Sequence, residues 1–383
     1  MQKPMEKAEE FGKIRMMING KWLHLDDQFI KSHPGGAVLL QYKDADATQI
    51  FHAFHEGSGR AYKQLKLLEA NAASFEVNAN GRETTTTTAE ESEKFDAKLV
   101  MAEYNMSLEK EKQIVLEFEQ LRQKIYSEGL MRPRPLFYVR KVVELFTLLA
   151  FAFWLQFMQF YLISAAILAL CWQQSGWLCH EFCHHQPTKN RRFNDLGAVI
   201  LGNAFQGFSR DWWKDKHNTH HAATNIIDRD GDIDLAPLLA LVPADLGNIG
   251  QSILHAMFAS GSAFKKHRQL AMAERLSLLF HWSWVMLQIW LLPNNTIRVI
   301  YFLISQLGGG FLIAHVVSYN HNSAPKFPAN SRLLNNFAAL HLLTTRNMRP
   351  SMFIDCLLRQ VAEQAAVFQS KLNALEERDA KRA

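Results

Sequence analysis

The chain has few cysteines and no strong charge of one sign. Its 383 residues contain four cysteines, none in a CxxC pair, so we expect reduced structural thiols. The formal net charge of +5 is small, and the charged residues are scattered along the chain, so the sequence does not indicate nucleic acid binding. The segment Met1–Met17 lacks the apolar core of a signal peptide, so we expect the first domain to stay in the cytosol.

Charged side chains are absent from a long stretch, the 35 residues from Leu145 to Cys179. One membrane-spanning helix needs about 20 apolar residues, so this stretch is long enough for about two helices. Two further apolar runs, Leu276–Pro293 and Val299–Tyr319, predict a second pair. The predicted fold class is therefore a mainly α membrane protein with about four transmembrane helices in two hairpins.

Basic residues gather beside these apolar runs, and by the positive-inside rule they mark the cytoplasmic side. They are Arg132, Arg134, Arg140, Lys141, Lys189, Arg191, Arg192, Lys265, Lys266 and Arg268. The two histidine clusters of the chain lie beside the same ends of the runs, so we expect a histidine-rich cap that faces the cytosol.

Histidine is concentrated in two short clusters, HEFCHH at His180–His185 and HNTHH at His217–His221. Residues at i, i+3 and i+4 share one face of a helix, so most histidines of each cluster point the same way. Imidazole suits iron and is neutral at the working pH. A single histidine is more often a core residue than a ligand, but five at helical spacing beside membrane spans indicate a metal site.

Residues 11–73 predict a small α+β domain, in which Ile18–Leu23 forms a turn that leads into a strand. An HPGG motif begins at His33, and an Ala-Thr-x-x-Phe-x-x-x-His pattern ends at His55. The two motifs resemble the cytochrome b5-like haem domain, which implies haem b with His33 and His55 as axial ligands. The Pro-Gly-Gly turn lets the backbone pass close to the porphyrin edge. His52 is the alternative second ligand, although the spacing from Phe51 favours His55.

Three segments connect the predicted domains. Residues 74–94 are polar and contain five consecutive threonines, which predicts a flexible linker that lets the haem domain swing. Leu108–Glu128 predicts an amphipathic helix, either at the membrane interface or as a solvated connector. Phe193–Gly207 predicts an interfacial or re-entrant helix that is capped by Asn194 and Asp195.

The histidine clusters and the haem-type domain together resemble the front-end fatty acid desaturases, a membrane di-iron family fused to cytochrome b5. Three further stretches are similar to nematode members of the delta-6 or delta-5 type: 173–178 (QQSGWL), 208–214 (FSRDWWK) and 344–348 (TTRNM). The resemblance runs from about Met16 to Asp355 and implies a desaturase domain over residues 95–355.

The resemblance also implies two non-haem iron ions. The implied ligands are His180, His184, His217, His220, His221 and His321. His185 is either a ligand or a neighbour, and His315 is a weaker candidate. Glu181 stands where the family commonly has Asp, and its carboxylate can still orient a ligand.

Aspartates alternate at Asp228, Asp230, Asp232 and Asp234. An EF-hand requires Gly at its sixth position and Glu at its twelfth, where this chain has Ile233 and Leu239, so we reject a calcium loop. We expect these aspartates to support metal ligands or to face the substrate.

The sequence departs from the family after Asp355. The family has a third box, Gln-x-x-His-His, whereas the last histidine here is His341. Residues 356–383 are charged and rich in alanine, which predicts a soluble helical tail. At least one iron should therefore lack ligands, and we hypothesise that the activity of this chain is impaired or lost.

The function implied by the resemblance is an oxygen-dependent acyl-lipid or acyl-CoA desaturase of the endoplasmic reticulum membrane. It would insert a cis double bond between an existing one and the carboxyl end of an acyl chain on CoA or a phospholipid. Electrons would pass from NADH through cytochrome b5 reductase to the haem and then to the iron. The alternatives are a lipid hydroxylase of the same di-iron type and a membrane-anchored haem electron carrier or inactive isoform.

Overall fold

The computed structural model describes residues 14–76, 101–233, 270–317, 320–321 and 324–345 of the chain. Within these ranges the chain is mainly helical, as the sequence predicts. The predicted linker beyond residue 76, the tail 356–383, Asp234 and the side chain of His315 lie outside the described residues.

The N-terminal part combines one small sheet with short helices. Its elements are β1 (Ile14–Ile18), β2 (Lys21–Leu25), α1 (Asp27–Ser32), a 3-10 helix (Gly36–Tyr42), α2 (Thr48–His55) and α3 (Gly59–Glu76). The strands form an antiparallel hairpin. Asn19 and Gly20 have φ of 52° and 75°, the backbone that a tight turn between twisted strands requires. Helix α3 ends at Glu76, beyond the predicted domain end at Ala73.

An amphipathic helix and a helical hairpin follow. Helix α4 (Leu108–Ser127) is the predicted amphipathic helix. Its Phe118 packs against Phe337 with ring centroids 6.0 Å apart, so this face of α4 is covered by protein. Helices α5 (Pro135–Phe157) and α6 (Tyr161–Cys183) form the first predicted hairpin.

Helix α7 begins earlier than predicted. It spans Arg191–Ala198, and the Oδ1 of Asn190 accepts a hydrogen bond from the backbone N–H of Arg192 at 3.0 Å. The predicted cap at Asn194 and Asp195 is therefore wrong. Apolar periodicity starts the helix at its first apolar residue, Phe193, whereas the capped helix begins with two arginines.

A π-helix (Val199–Gln206) and a tight turn connect α7 to α8 (Arg210–Ala222). Gly207 in the turn has φ of 79°, and a Cβ there would overlap the imidazole of His281. Glycine is required at this point, both for its backbone and for its lack of a side chain. The turn sets the direction in which α8 leaves the bundle.

The second predicted hairpin consists of α9 (Ala271–Trp290) and one continuous helix. That helix is composed of α10 (Asn295–Phe302), a π-helical turn (Leu303–Leu307) and α11 (Gly308–Val317). Among the described residues, two helical segments are long and apolar enough to cross a membrane, Tyr161–Cys183 and Asn295–Ile313. The four-span arrangement stays a prediction.

Four polar side chains join the two hairpins inside the bundle. The hydroxyl of Tyr301 lies 2.9 Å from Oγ of Ser164 and accepts a hydrogen bond from Nε2 of Gln288 at 3.0 Å. Gln288 also donates to Oε1 of Gln156 at 2.9 Å. Because Ser164, Gln288 and Tyr301 are buried, this network constrains how the four helices pack.

The outer surface of the bundle is apolar. Large side chains on all four helical segments remain exposed, for example Phe157 (83%), Leu162 (55%), Trp290 (67%) and Phe311 (66%). An exposed apolar surface of this extent is typical of contact with lipid.

The last described elements are a 3-10 helix (Arg332–Asn335) and α12 (Phe337–Thr344). One hydrophobic core joins them to the N-terminal part, since it contains Met16 and Tyr42 together with Ala222 and Leu340. The N-terminal part therefore packs directly on residues that flank the histidine clusters.

Candidate metal centre

Two helices bring four histidines together. Helix α6 carries His180 and is capped by His184, and α8 carries His217 and His221. The two members of each pair lie one helical turn apart and so share one helix face. One ring nitrogen from each histidine lies within 4.8 Å of the other three. Four of the six predicted iron ligands thus form one compact cluster.

The donors in this cluster fit a metal ion. Nε2 of His184 is buried and has no hydrogen-bond partner among the described residues. Nε2 of His217 and Nε2 of His221 lie 3.0 Å apart. Trp213 stacks on His217 with ring centroids 4.2 Å apart and so holds that ring in place. Several imidazole nitrogens that converge on one point suit iron, among other first-row metals.

The other two predicted ligands form a separate pair. The ring centroids of His220 and His321 lie 4.7 Å apart, with the rings edge to face. Asn225 donates to the backbone carbonyl of His321 at 2.7 Å, and Nδ1 of His321 donates to the carbonyl of Thr344 at 3.3 Å. The fold therefore divides the six predicted ligands into a group of four and a group of two.

Two of the alternating aspartates support histidines. Asp230 is buried, and both its oxygens lie 2.9 Å from Nδ1 of His220. Asp232 accepts a hydrogen bond from Nδ1 of His217. A carboxylate on Nδ1 fixes the tautomer in which Nε2 has its lone pair available for a metal. This is the supporting role that the sequence predicts for these aspartates.

Most of the clustered imidazoles are neutral. Burial, with the neighbouring imidazoles, lowers the pKa of His184 to about 3 and also lowers the pKa of His217 and His221. His220, in the separate pair, differs. Burial lowers the pKa of His220, but the charge of Asp230 and the hydrogen bond to Asp230 outweigh burial and raise this pKa to about 9. A metal that binds His220 must therefore displace a proton.

Glu181 orients the first histidine of the cluster. Nδ1 of His180 donates to Oε1 of Glu181 at 3.2 Å, and the hydroxyl of Tyr138 donates to Oε2 at 2.9 Å. The exchange of Asp for Glu thus keeps a carboxylate in contact with a cluster histidine, as expected.

His185 lies outside the cluster of four histidines, which favours its interpretation as a neighbour of the cluster. It has φ of 59°, and its Nε2 accepts a hydrogen bond from Nζ of Lys214 at 3.0 Å. Burial and the charge of Lys214 lower the pKa of His185 to about 2, so the ring is neutral. No sequence pattern predicts this contact with Lys214. His185 is a neighbour of the cluster, turned toward a buried cation.

His341 also contacts the cluster without any signal in the sequence. Its Nε2 donates to the backbone carbonyl of His221 at 3.1 Å, and its ring packs on Phe337 with centroids 4.3 Å apart. A lone histidine in an apolar stretch is usually a core residue. Only the fold places it beside His221, a predicted metal ligand.

The N-terminal part places His33 and His55 face to edge, with ring centroids 6.0 Å apart. Metal–nitrogen bonds of about 2 Å on each side, plus about 1 Å from each nitrogen to its ring centre, give nearly the same separation. The residues therefore fit an iron between the two rings. His52 does not face this point, because it bonds to Tyr62 and Asn19, each at 2.9 Å.

The imidazole rings of His33 and His55 differ in the hydrogen bond that Nδ1 makes. Nδ1 of His55 donates to the carbonyl of Phe51 at 2.9 Å, which leaves the Nε2 lone pair for a metal. Nδ1 of His33 accepts a hydrogen bond from the N–H of Gly35 at 3.1 Å, so ligation through Nε2 requires that this bond be given up. A Cβ on Gly35 would lie 2.9 Å from Cε1 of His33, which explains the glycine.

Comparison with known proteins identifies the family. Residues 152–358 match the fatty acid desaturase family. The chain is 48% identical to the Delta(6)-fatty-acid desaturase fat-3 of Caenorhabditis elegans over 375 residues, which cover 90% of this chain and 83% of the relative. It is 39% identical to the Delta(5) fatty acid desaturase fat-4 of the same organism, over 92% of this chain and 84% of the relative.

A more distant relative is the Delta(8)-fatty-acid desaturase of Euglena gracilis, which is 28% identical over 85% of this chain and 78% of the relative. No solved structure matches the chain. The identities to full-length desaturases, together with the histidine cluster, lead to one conclusion: the chain belongs to the fatty acid desaturase family.

Proposed function

We propose that this polyunsaturated fatty acid desaturase holds two non-haem irons, one in the cluster of four histidines and one at the His220–His321 pair. With fatty acyl substrate and oxygen, it would insert a cis double bond on the carboxyl side of an existing one. The relatives, named for delta-6, delta-5 and delta-8 desaturation, support this position of the new bond.

The observation that carries the proposal is the convergence of four imidazole nitrogens within 4.8 Å, one of them buried without a partner. Bound iron supplies, with oxygen, the oxidising power needed to remove hydrogen from an unactivated methylene. The overall reaction takes two hydrogens from the acyl chain, two electrons from a donor and two protons from solution, and it reduces one oxygen molecule to two waters.

The protein side chains determine where that chemistry happens. Asp230 and Asp232 hold Nδ1 of their histidines, so each Nε2 points away from the carboxylates, and Nε2 of His220 would give up its proton to a metal. Trp213 covers one face of His217 and excludes water from it. The imidazole rings of His217 and His220 are thus held in orientations that can bind a metal without rotation of the rings.

The N-terminal part would hold haem b between His33 and His55, as a cytochrome b5-like domain. Their ring separation of 6.0 Å supports this assignment. Electrons would come from NADH through a cytochrome b5 reductase. A donor fused to the enzyme has a high local concentration, so no diffusing cytochrome is required.

The bundle would lie in the endoplasmic reticulum membrane as four spans, with both metal sites facing the cytosol. The apolar outer surface of all four helical segments supports a membrane position. The basic residues beside the histidine clusters support the orientation.

A second candidate is a chain with reduced or no desaturase activity that still carries haem. It is favoured by the His220–His321 pair, which among the described residues offers two imidazoles where the other group offers four. An iron at this pair should bind more weakly than an iron in the cluster. We therefore expect the chain to fill the cluster first.

Expression in a host supplied with defined polyunsaturated fatty acids tests the proposal. A product two hydrogens lighter than its substrate supports desaturation, and its fragmentation gives the position of the new bond. A product heavier by one oxygen would indicate hydroxylation instead. Metal analysis distinguishes the desaturase from the second candidate. Two non-haem irons per chain support the desaturase, whereas haem with no non-haem iron supports a chain that carries haem without desaturase activity.

A further inference from the structure

Two hydrogen bonds attach the N-terminal part to helix α8 and to the loop that follows it. The hydroxyl of Tyr42 is buried and donates to the backbone carbonyl of Ala222, at the end of α8, at 2.9 Å. Nη1 of Arg229 donates to the backbone carbonyl of Gln41 at 2.6 Å. These two bonds run in opposite directions, so each partner supplies one donor and one acceptor. They hold the 3-10 helix after the HPGG turn against the end of α8 and the loop that follows it.

A second set of contacts begins next to the other proposed haem ligand. Phe54, the neighbour of His55, packs edge to face on Phe337 with centroids 5.9 Å apart. Phe337 packs on His341 with ring centroids 4.3 Å apart. Nε2 of His341 in turn donates a hydrogen bond to the backbone carbonyl of His221 at 3.1 Å. An unbroken chain of contacts thus leads from helix α2 to a ligand of the metal cluster.

The two sets of contacts enclose a common hydrophobic core. Leu23 and Ile50 of the N-terminal part share this core with Ala222, Phe337 and Leu340. Separation of the two parts would expose these apolar side chains and the carbonyl partner of Tyr42 to water. The docked arrangement is therefore favoured over one in which the N-terminal part moves freely.

We infer that the N-terminal part is docked on the metal centre as a fixed electron donor, with Phe337 and His341 as positioning residues between the haem-binding helix and His221. The inference rests on the proposed function, because it requires haem between His33 and His55. In each transfer, ferrous haem loses one electron and becomes ferric, and one ferric iron of the metal centre is reduced. A flavoprotein reductase restores the ferrous haem with electrons from NADH, and two transfers serve each double bond.

Hydrogen exchange on the full chain in detergent tests the docking. The double variant Tyr42→Phe, Arg229→Gln removes both polar bonds, and we expect amides of residues 36–42 and of α12 to exchange about tenfold faster. The control is Arg15→Gln, which breaks an exposed ion pair with Asp44 inside the N-terminal part. Wild-type protection in the double variant would overturn the docking.

Anaerobic electron transfer tests the positioning residues. Full-length protein loaded with haem and ferric iron is flash-reduced, and the decay of ferrous haem absorbance gives the transfer rate. Phe337→Leu should slow this decay while the haem spectrum and the amide protection stay as in the wild type. Phe118→Leu is the matched control, because Phe118 packs on Phe337 from α4 and is not a member of the contact chain.

The two outcomes separate the inference from the function on which it rests. Wild-type decay in Phe337→Leu, with haem bound and docking intact, would overturn the role of Phe337 and His341. A chain that takes up no haem would refute the haem assignment in the proposed function, and hydrogen exchange would still decide whether the N-terminal part is docked.

Discussion

Asp230 offers a direct test of the metal centre. Its buried carboxylate accepts hydrogen bonds from Nδ1 of His220 at 2.9 Å and from the backbone N–H groups of Asn225 (2.7 Å) and Asp232 (2.9 Å). In Asp230→Asn the shape is kept, but the amide nitrogen cannot accept, so one of these three donors loses its partner. We expect iron affinity to fall by about 10–100-fold. The unpaired buried donor should lower the free energy of unfolding by about 1–3 kcal/mol.

Chelator competition on the purified full chain measures the iron affinity, and thermal unfolding in the same detergent measures the stability. Asp44→Asn is the matched control, because Asp44 is exposed and pairs with Arg15 on the N-terminal part. This control should leave iron affinity unchanged and should alter stability by no more than about 0.5 kcal/mol.

Two results would refute the reasoning. If Asp230→Asn binds iron as tightly as the wild type, His220 is not a metal ligand and Asp230 only supports the loop after α8. If Asp44→Asn weakens iron binding equally, the loss reflects general destabilisation and not the contact with His220.

Three further outcomes are expected. Tyr301→Phe removes a buried hydroxyl that joins three helices and should cost about 1–3 kcal/mol of stability, read by thermal unfolding; an unchanged midpoint would show that the network does not stabilise the bundle. His55→Ala should abolish haem absorbance and His52→Ala should keep it, whereas haem retained in His55→Ala contradicts the assignment. Because a metal must displace a proton from His220, whose pKa is about 9, affinity for the second iron should rise by up to about tenfold per pH unit below pH 9 and level off above it. An affinity that is independent of pH would show that His220 does not bind the metal.

Helical spacing predicts convergence only within one helix. It predicts that His180 lies with His184, and that His217 lies with both His220 and His221, because the geometry of an α-helix is local. The structure corrects this for His220, which pairs with His321. Helical spacing cannot say that the two pairs meet or that His220 falls outside their cluster. Those facts depend on the direction of α8, which the turn at Gly207 sets after a π-helix.

The hydrogen-bond partners of the histidines could be predicted from the sequence only in part. The alternation of Asp230 and Asp232 gave a usable signal, since both support histidines in the fold. Lys214 and His341 gave none, because each is a single residue whose role depends on a distant element. The sequence does not predict Asn190 as the cap of α7, because two arginines separate it from the first apolar residue, Phe193, and apolar periodicity does not mark such a start.

The unequal division of ligands bears on activity. Desaturation needs two electrons and one oxygen molecule at a single site, whereas each transfer from a haem delivers one electron. In the described part of the chain, four imidazoles meet in the cluster and two at the His220–His321 pair. Under the proposed function, an iron bound in the cluster would accept one electron whether or not the pair is filled, so haem oxidation and product formation would not need to go together. The occupancy of the pair, and not the presence of the cluster, should therefore set how much double bond each chain can form.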